Sequence, residues 1–376
     1  MEHRLITAKA LHEMIDRGQD LLVLDVRSEQ AYKDWRIQGN ALRSVNIPYF
    51  EFLEEGEVVS ADLPQNTEII IVCNRGNSAK MVAEALTNKG FSVQVLDGGM
   101  EAWSQFYHAV EVVESAGLKL IQFNRLGKGC LSYLVISEGQ ALVVDPGRHV
   151  REYLLAAERE GVKITHVLDT HLHADHISGG AQLAQAAEAD YFISRSEMDG
   201  STLSYQALEE NRNLQVGSVQ VQILALPTPG HTPGSVSVLV DGRYLLSGDT
   251  IFVGGLGRPD LGGKAREWAQ SLYETVFQTI ANLSDEVLVL PTHFADIAEI
   301  NADGYVGATL GAIRQNNEIM RTEDREQFTD KVAGASGATP PNYEQIVSIN
   351  RGITHVDAGQ ATELETGPNR CAVHHS

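Results

Sequence analysis

The chain has 376 residues, 43% hydrophobic and 21% charged, which predicts two or three globular domains and excludes an extensively disordered chain. Its 50 acidic side chains outnumber 29 basic ones for a formal net charge of −21, so nucleic-acid phosphates and anionic membranes are poor partners. The opening MEHRLITAKALHEMIDRGQD breaks its apolar positions with charges, unlike a secretory signal, and no run reaches the ~18 apolar residues of a membrane helix. Cys73, Cys130 and Cys371 are too few and too widely spaced for a disulfide framework, so a reducing cytoplasm is the expected compartment.

Between Leu21 and Trp103, short apolar runs alternate with helical stretches: LLVLDV, EQAYKDW, EIIIVC, MVAEALTNKG and VQVLDGG. Strand, helix, strand, helix, strand predicts a small α/β domain, a parallel sheet with flanking helices. Cys73 ends the run EIIIVC and is followed by NRGNSAK, which leads into a helix. Its thiol should therefore sit at the carboxyl end of a strand, over the amino end of the next helix. Unpaired N–H groups and the helix dipole at such a place lower a thiol pKa and hold an anion. Gly76 permits a tight turn and Arg75 can add a cation.

The stretch YHAVEVVESAG has neither a long apolar period nor a linker composition, and a boundary is expected near residue 110, giving domains over 1–110 and 117–376. Strand candidates then follow: CLSYLVIS, QALVVDPG, KITHVLDT, VQVQILALPTPG, VSVLV, RYLLSGDTIF and EVLVLPTHF. Between the last two, Trp268, Leu272, Val276 and Ile280 recur every fourth residue and predict one apolar helix face. From about residue 303 to Asn350 the pattern is one of short helices interrupted by GASGATPPN, a helical carboxyl-terminal extension.

The most specific pattern is THLHADH at residues 170–176, which puts His171, His173, Asp175 and His176 on one short loop after a strand. Imidazoles and a carboxylate so grouped can converge on a metal. Three later strands each end in a further candidate ligand: His231 in TPGHTPGS, Asp249 in SGDT and His293 in PTHF. The other histidines, His3, His12, His108, His149, His166, His355, His374 and His375, are read as core or surface residues. Cys130, opening an apolar strand, is read as core packing. Cys371 receives no chemistry.

Residues 4–107 resemble the rhodanese family in LDVRSEQAY, NIPYFEF, CNRGNS and LDGGMEAW. The resemblance implies that Cys73 cycles between thiolate and persulfide, with Asn74, Arg75, Gly76, Asn77 and Ser78 as the persulfide loop and Asp25 with Arg27 as the early acidic-basic pair. The chain differs from the family at RIQGNALRSVNIP and at Ser78, where many members have arginine.

HxHxDH with the later His, Asp and His resembles the metallo-β-lactamase superfamily over about residues 117–300, which implies an αββα sandwich with metal at one edge of the paired sheets. Two branches compete. A glyoxalase II-type thioester hydrolase would use all seven residues for zinc, in a binuclear site. A persulfide dioxygenase would hold one Fe(II) per chain through His171, His231 and Asp249, leaving His173, Asp175, His176 and His293 as second-site or outer-shell groups. SGDTIFVGGLGRPD is similar to the dioxygenase branch, whose arginine lies near the thiol substrate; here that residue is Arg258, accompanied by Asp260. TPPNYEQIVSINRG and ELETGPNRCAV are similar to tails of the same branch. The implied partners are O2, a persulfide of glutathione, coenzyme A or bacillithiol, and sulfite or thiosulfate, in a homo-oligomer that binds neither nucleic acid nor membrane. The alternatives are the zinc hydrolase and an amino-terminal domain that only binds sulfur or docks.

Overall fold

A computed structural model of the protein describes residues 4–39, 42–54, 62–115, 117–210, 212–224, 232, 234–259, 264–334, 342–369 and 371. They form two units, one within Met1–His108 with Arg125–Lys128 and Thr366–Pro368, the other within Ala109–Asn124, Gly129–Glu365 and Asn369–Ser376. Among the described residues no helix is long and apolar enough to cross a membrane.

The first unit runs β1 (Leu5–Ile6), α1 (Ala8–Asp16), β2 (Leu21–Asp25), α2 (Glu29–Asp34), β3 (Arg43–Asn46), α3 (Tyr49–Glu54), β4 (Glu68–Val72), α4 (Asn77–Asn88), β5 (Val93–Leu96) and α5 (Gly99–Gln105). Its sheet has the order β1-β5-β4-β2-β3 and is parallel throughout. Successive side chains of a strand point to opposite faces, so a sheet covered on both sides needs continuous apolar runs at its centre. Leu22, Leu24, Ile69 and Ile71 accordingly pack with Val82 and Leu86 of α4, while Leu21, Val23, Ile70 and Val72 pack with Leu11, Met100 and Trp103. The edge strands β1 and β3 were not legible in the sequence, because β1 has two residues and β3, RSVN, is only half-buried.

The second unit, from Ala109 on and with Arg125 counted in the first, opens with β6 (His108–Ser115), β7 (Leu118–Arg125), β8 (Cys130–Ser137), β9 (Gln140–Val144), α6 (Arg151–Glu160), β10 (Lys163–Leu168), α7 (Gly180–Ala187), β11 (Asp190–Ile193) and β12 (Gln206–Ala207). A seven-stranded sheet, β12-β11-β10-β9-β8-β7-β6, is the result. The stretch expected to be a boundary is thus its edge strand, β6; the strand carries glutamates and partly exposed valines, so it lacks the apolar run of a buried strand.

The second sheet, β13-β14-β15-β16-β17-β18, comes from β13 (Asn213–Val216), β14 (Val219–Leu224), β15 (Ser237–Val240), β16 (Tyr244–Gly248), β17 (Leu288–Pro291) and β18 (Ala308–Thr309). Leu131, Tyr133 and Val135 of the first sheet meet Val219, Val221, Val238 and Val240 of the second in one core. On the far side of the second sheet, Leu239, Leu245 and Val289 pack against Leu272 of α8 (Ala265–Glu274). The apolar stripe continues through a π-turn over Thr275–Thr279, with Leu272, Val276 and Ile280 buried as expected and Trp268 half-buried. Beyond β18 come α9 (Leu310–Asn316), α10 (Arg325–Gly334), α11 (Tyr343–Asn350) and α12 (Ala358–Glu365), the expected helical extension.

Candidate metal centre and cysteine loop

In the first unit, Cys73 follows β4 directly and is 5% exposed. Gly76, the residue before α4, has φ +91° and turns its N–H onto Cys73 Sγ at 3.1 Å. A second close approach shapes the loop from behind. Gly99 has φ +59°, and a Cβ there would lie 2.1 Å from the Cys73 carbonyl oxygen, so only glycine lets α5 reach the loop. Met100 N then donates to Cys73 O at 2.9 Å and Glu101 N to Asn74 O at 3.0 Å. This contact is the physical content of the motif LDGGMEAW.

Asn74, Arg75, Asn77 and Ser78 line a cavity of about 400 Å³ with Cys73. Arg75 Nε donates to Glu101 Oε2 at 2.7 Å. Asp25 and Arg27 do pair, buried, with Arg27 Nη2 2.6 Å from Asp25 Oδ2, and Asn46 Nδ2 ties their carbonyls together at 2.8 and 2.9 Å.

In the second unit the strand ends converge. His171, His173, Asp175 and His176 follow β10, Asp249 follows β16, and His293 stands two residues past β17; all are at most 3% exposed. Gly248 before Asp249 has φ +55°, and a Cβ there would meet Thr170 Oγ1 at 2.8 Å, so the two ligand-bearing strand ends touch backbone to side chain. His171 Nε2 lies 3.6 Å from Asp249 Oδ2, a spacing open to two ligands of one ion whose bonds are about 2.0–2.2 Å. Asp249 Oδ1 is 2.6 Å from His293 Nδ1, His293 Nε2 is 3.2 Å from Asp175 Oδ2, and Asp175 Oδ1 is 2.9 Å from His176 Nδ1.

These groups charge one another. Burial alone would push the Asp175 carboxyl up, but His293 and His176 hold it well below the usual carboxylate range. Burial would lower both imidazoles, yet Asp249 and Asp175 raise His293 well above its ordinary value, and Cys130 with Asp175 raise His176 to about 10. So concentrated a set of anionic and imidazole donors fits a divalent cation. A second sign is His173: its Nδ1 is buried without a hydrogen-bond partner among the described residues, while its Nε2 lies 3.2 Å from Asp145 Oδ1. A metal-ligating imidazole uses its other ring nitrogen in that way. Asp145, a residue not singled out from the sequence, also accepts from Thr170 N at 2.7 Å and Thr292 Oγ1 at 2.7 Å, joining two ligand loops.

His231 and Asp260 lie outside the described residues. Thr232, next to His231 in the chain, donates to Glu197 Oε1 at 2.6 Å, as does Gly234 N. Arg258 is 1% exposed. A bridge between Ile251 and Leu256 folds its loop back, and Gly257 N donates to Thr250 O at 3.1 Å, so the backbone just before Arg258 meets the backbone just after Asp249.

Two buried cysteines lie beside this centre, and Cys130, expected as core packing, is buried against it. Cys130 Sγ is 3.5 Å from Asp175 Oδ2 and 3.7 Å from His176 Nδ1, because Cys130 bridges to His293 across the strand ends. The sulfur of Cys371, also buried, groups with Asp249 and His293. The carboxyl-terminal helices supply a further set: Asn350 Nδ2 donates to His173 O and His176 O, each at 2.9 Å, and Glu365 Oε1 accepts from Ile177 N at 2.7 Å.

Residues 126–293 match the model of the metallo-β-lactamase superfamily, and residues 7–106 that of the rhodanese-like domain. The hydroxyacylglutathione hydrolase of Xanthomonas axonopodis pv. citri is 31% identical over 202 residues, 54% of this chain and 74% of that protein. A cytoplasmic hydroxyacylglutathione hydrolase of Arabidopsis thaliana is 31% identical, over 49% of this chain and 71% of its own length. Among solved structures, a metallo-β-lactamase from Staphylococcus aureus COL superposes with a TM-score of 0.58 at 30% identity, covering 64% of this chain and 74% of that one. ETHE1 from Myxococcus xanthus superposes with a TM-score of 0.53 at 26% identity, covering 66% of this chain and 100% of its own.

Proposed function

Because the chain belongs to the metallo-β-lactamase superfamily and carries a rhodanese-like domain ahead of it, we propose that it oxidises a low-molecular-weight thiol persulfide with dioxygen and carries sulfane sulfur on Cys73. The overall change is persulfide plus O2 plus water to free thiol, sulfite and two protons. A single ferrous ion, which His171, His231 and Asp249 would hold, would supply the redox chemistry that lets dioxygen take four electrons from the sulfane sulfur. Arg258 holds the anionic end of the thiol, and the carboxylates of Asp145 and Asp175 fix the imidazoles facing them.

What supports this reading is the burial of Arg258, the residue after Gly257 whose N–H donates to Thr250 O next to Asp249, in a stretch, GDTIFVGGLGR, similar to that of persulfide dioxygenases. A sulfur-transfer domain on the same polypeptide supports it, since one activity yields sulfite and the other moves sulfane sulfur to a thiol or to sulfite. A thioester hydrolase has no such use for Cys73. The zinc thioester hydrolase is the second reading; the open Nδ1 of His173, available as a ligand beside the other described histidines and aspartates, favours it.

Oxygen uptake by anaerobically iron-loaded protein, with zinc-loaded protein as comparison, separates the two. Iron-dependent uptake on adding glutathione, coenzyme A or bacillithiol persulfide, with sulfite as product, is the expected result. No uptake with any of the three, and hydrolysis of S-lactoylglutathione by the zinc form, would overturn it.

A further inference from the structure

The cavity over Cys73 is lined by the apolar side chains of Val26, Ala31, Pro48, Tyr49 and Phe50. Tyr49 and Phe50 stay 40% and 48% exposed, so a broad aromatic mouth opens beside a buried sulfur. Among the described residues, the charged side chains in the lining are Arg27 and Arg75, and each is engaged by a carboxylate. Arg27 is buried against Asp25, with Nη2 and Nε contacts of 2.6 to 3.1 Å; Arg75 meets Glu101 at 2.7 Å. Counted with these partners, the two cations contribute no net charge.

Resting on the reading of Cys73 as a sulfur carrier, we infer that this cavity exchanges sulfur with organic thiols and their persulfides and discriminates against the thiosulfate and sulfite dianions. With a persulfide donor, the Cys73 thiolate attacks the outer sulfur of R–S–SH. The donor's S–S bond breaks, a new S–S bond forms to Cys73 Sγ, and R–S⁻ leaves with the electron pair. One negative charge is present throughout. With thiosulfate, the same attack releases sulfite and gathers three negative charges in the cavity. An apolar wall with neutralised guanidiniums stabilises the first far better than the second. The loop amides and the dipole of α4 serve both donors and do not discriminate. Reversing the reaction keeps the charge count, so the acceptor from the Cys73 persulfide is a thiol in preference to sulfite. Tyr49 and Phe50 cover the methylene next to the reacting sulfur, a group that inorganic donors lack.

The test is the initial rate at which Cys73 of the full chain gains one sulfur, followed by mass spectrometry under anaerobic conditions so that oxygen consumes none of the donor. Glutathione persulfide should load Cys73 faster than thiosulfate at equal concentration by about tenfold or more. Glu101→Gln, which releases Arg75 from its carboxylate, should raise the thiosulfate rate about threefold and leave the persulfide rate nearly unchanged. Ser78→Arg, which adds a guanidinium to the lining, should raise the ratio of the thiosulfate rate to the persulfide rate as well. Equal loading by both donors, or variants that leave the thiosulfate rate unmoved, would overturn the charge selectivity while leaving the carrier role intact. Loading by neither donor would overturn the carrier role itself.

Discussion

Asn350 Nδ2 donates to the carbonyl oxygen of His176 at 2.9 Å, although the two residues are 174 positions apart in the chain. The same nitrogen reaches His173 O, and Asn350 Oδ1 accepts from Ser178 N at 2.9 Å, so one buried amide spans both ends of the ligand loop. Asn350→Ala leaves two buried carbonyls and the half-buried Ser178 N–H without this partner, each buried carbonyl costing about 1–3 kcal/mol if nothing replaces it. Metal affinity, read by chelator competition, should fall about tenfold or more, in the range typical of groups that orient ligands. Unchanged affinity would show that the loop holds its shape without the extension.

Cys73 and the metal centre belong to different units, and their activities should separate. Cys73→Ser should leave persulfide-dependent oxygen uptake at the unaltered rate and abolish sulfur loading on the first unit. Asp249→Ala should do the reverse, with loss of bound metal. A Cys73→Ser chain that still transferred sulfur would remove this residue from the proposal.

Arg258 is tested by its conservative replacement. Lysine keeps the charge but loses the planar fork that binds a carboxylate in two places. Arg258→Lys should raise KM for the persulfide about tenfold with little change in kcat or metal content, a loss of the size of one charge-assisted hydrogen bond. A fall in kcat alone, at constant KM, would contradict a role in holding the thiol.

His12 gives a dependence on pH in the first unit. Burial first, and then His108 with its ring centroid 4.3 Å away, push His12 down to about 4. The folded state therefore prefers the neutral ring, so this contribution to stability is complete above the ordinary value near 6.5 and is lost as pH falls towards 4. The unfolding temperature of the rhodanese-like domain should drop across that window, and less steeply in His12→Gln. Parallel curves for the two proteins would assign the pH response elsewhere.

What the sequence disclosed follows the physics of each element. The strands β2 and β4 read clearly because both faces of a central parallel sheet are covered, and the ligand loop read clearly because its four donors lie within six residues. Strand β6 was hidden by its glutamates, and β3 by its half-buried polar residues. Cys130, Cys371, Asp145 and Asn350 were hidden for another reason. Their roles exist only once separate strand ends and the carboxyl-terminal helices meet, and no local period encodes a meeting of that kind. Arg258 stands between these cases: its motif suggested a role, and the bridge from Ile251 to Leu256 explains how a loop residue becomes buried.

The clasp of the ligand loop by Asn350 and Glu365 also orders events in time. A ribosome makes the chain from its amino end, so His171 to His176 leave it well before their anchors do. Until the final helices have been synthesised and docked, the loop's carbonyls and amides lack those partners. Secure metal capture is therefore a late step in biosynthesis, and a polypeptide released early, short of residue 350, would carry the histidines and aspartates yet retain metal poorly.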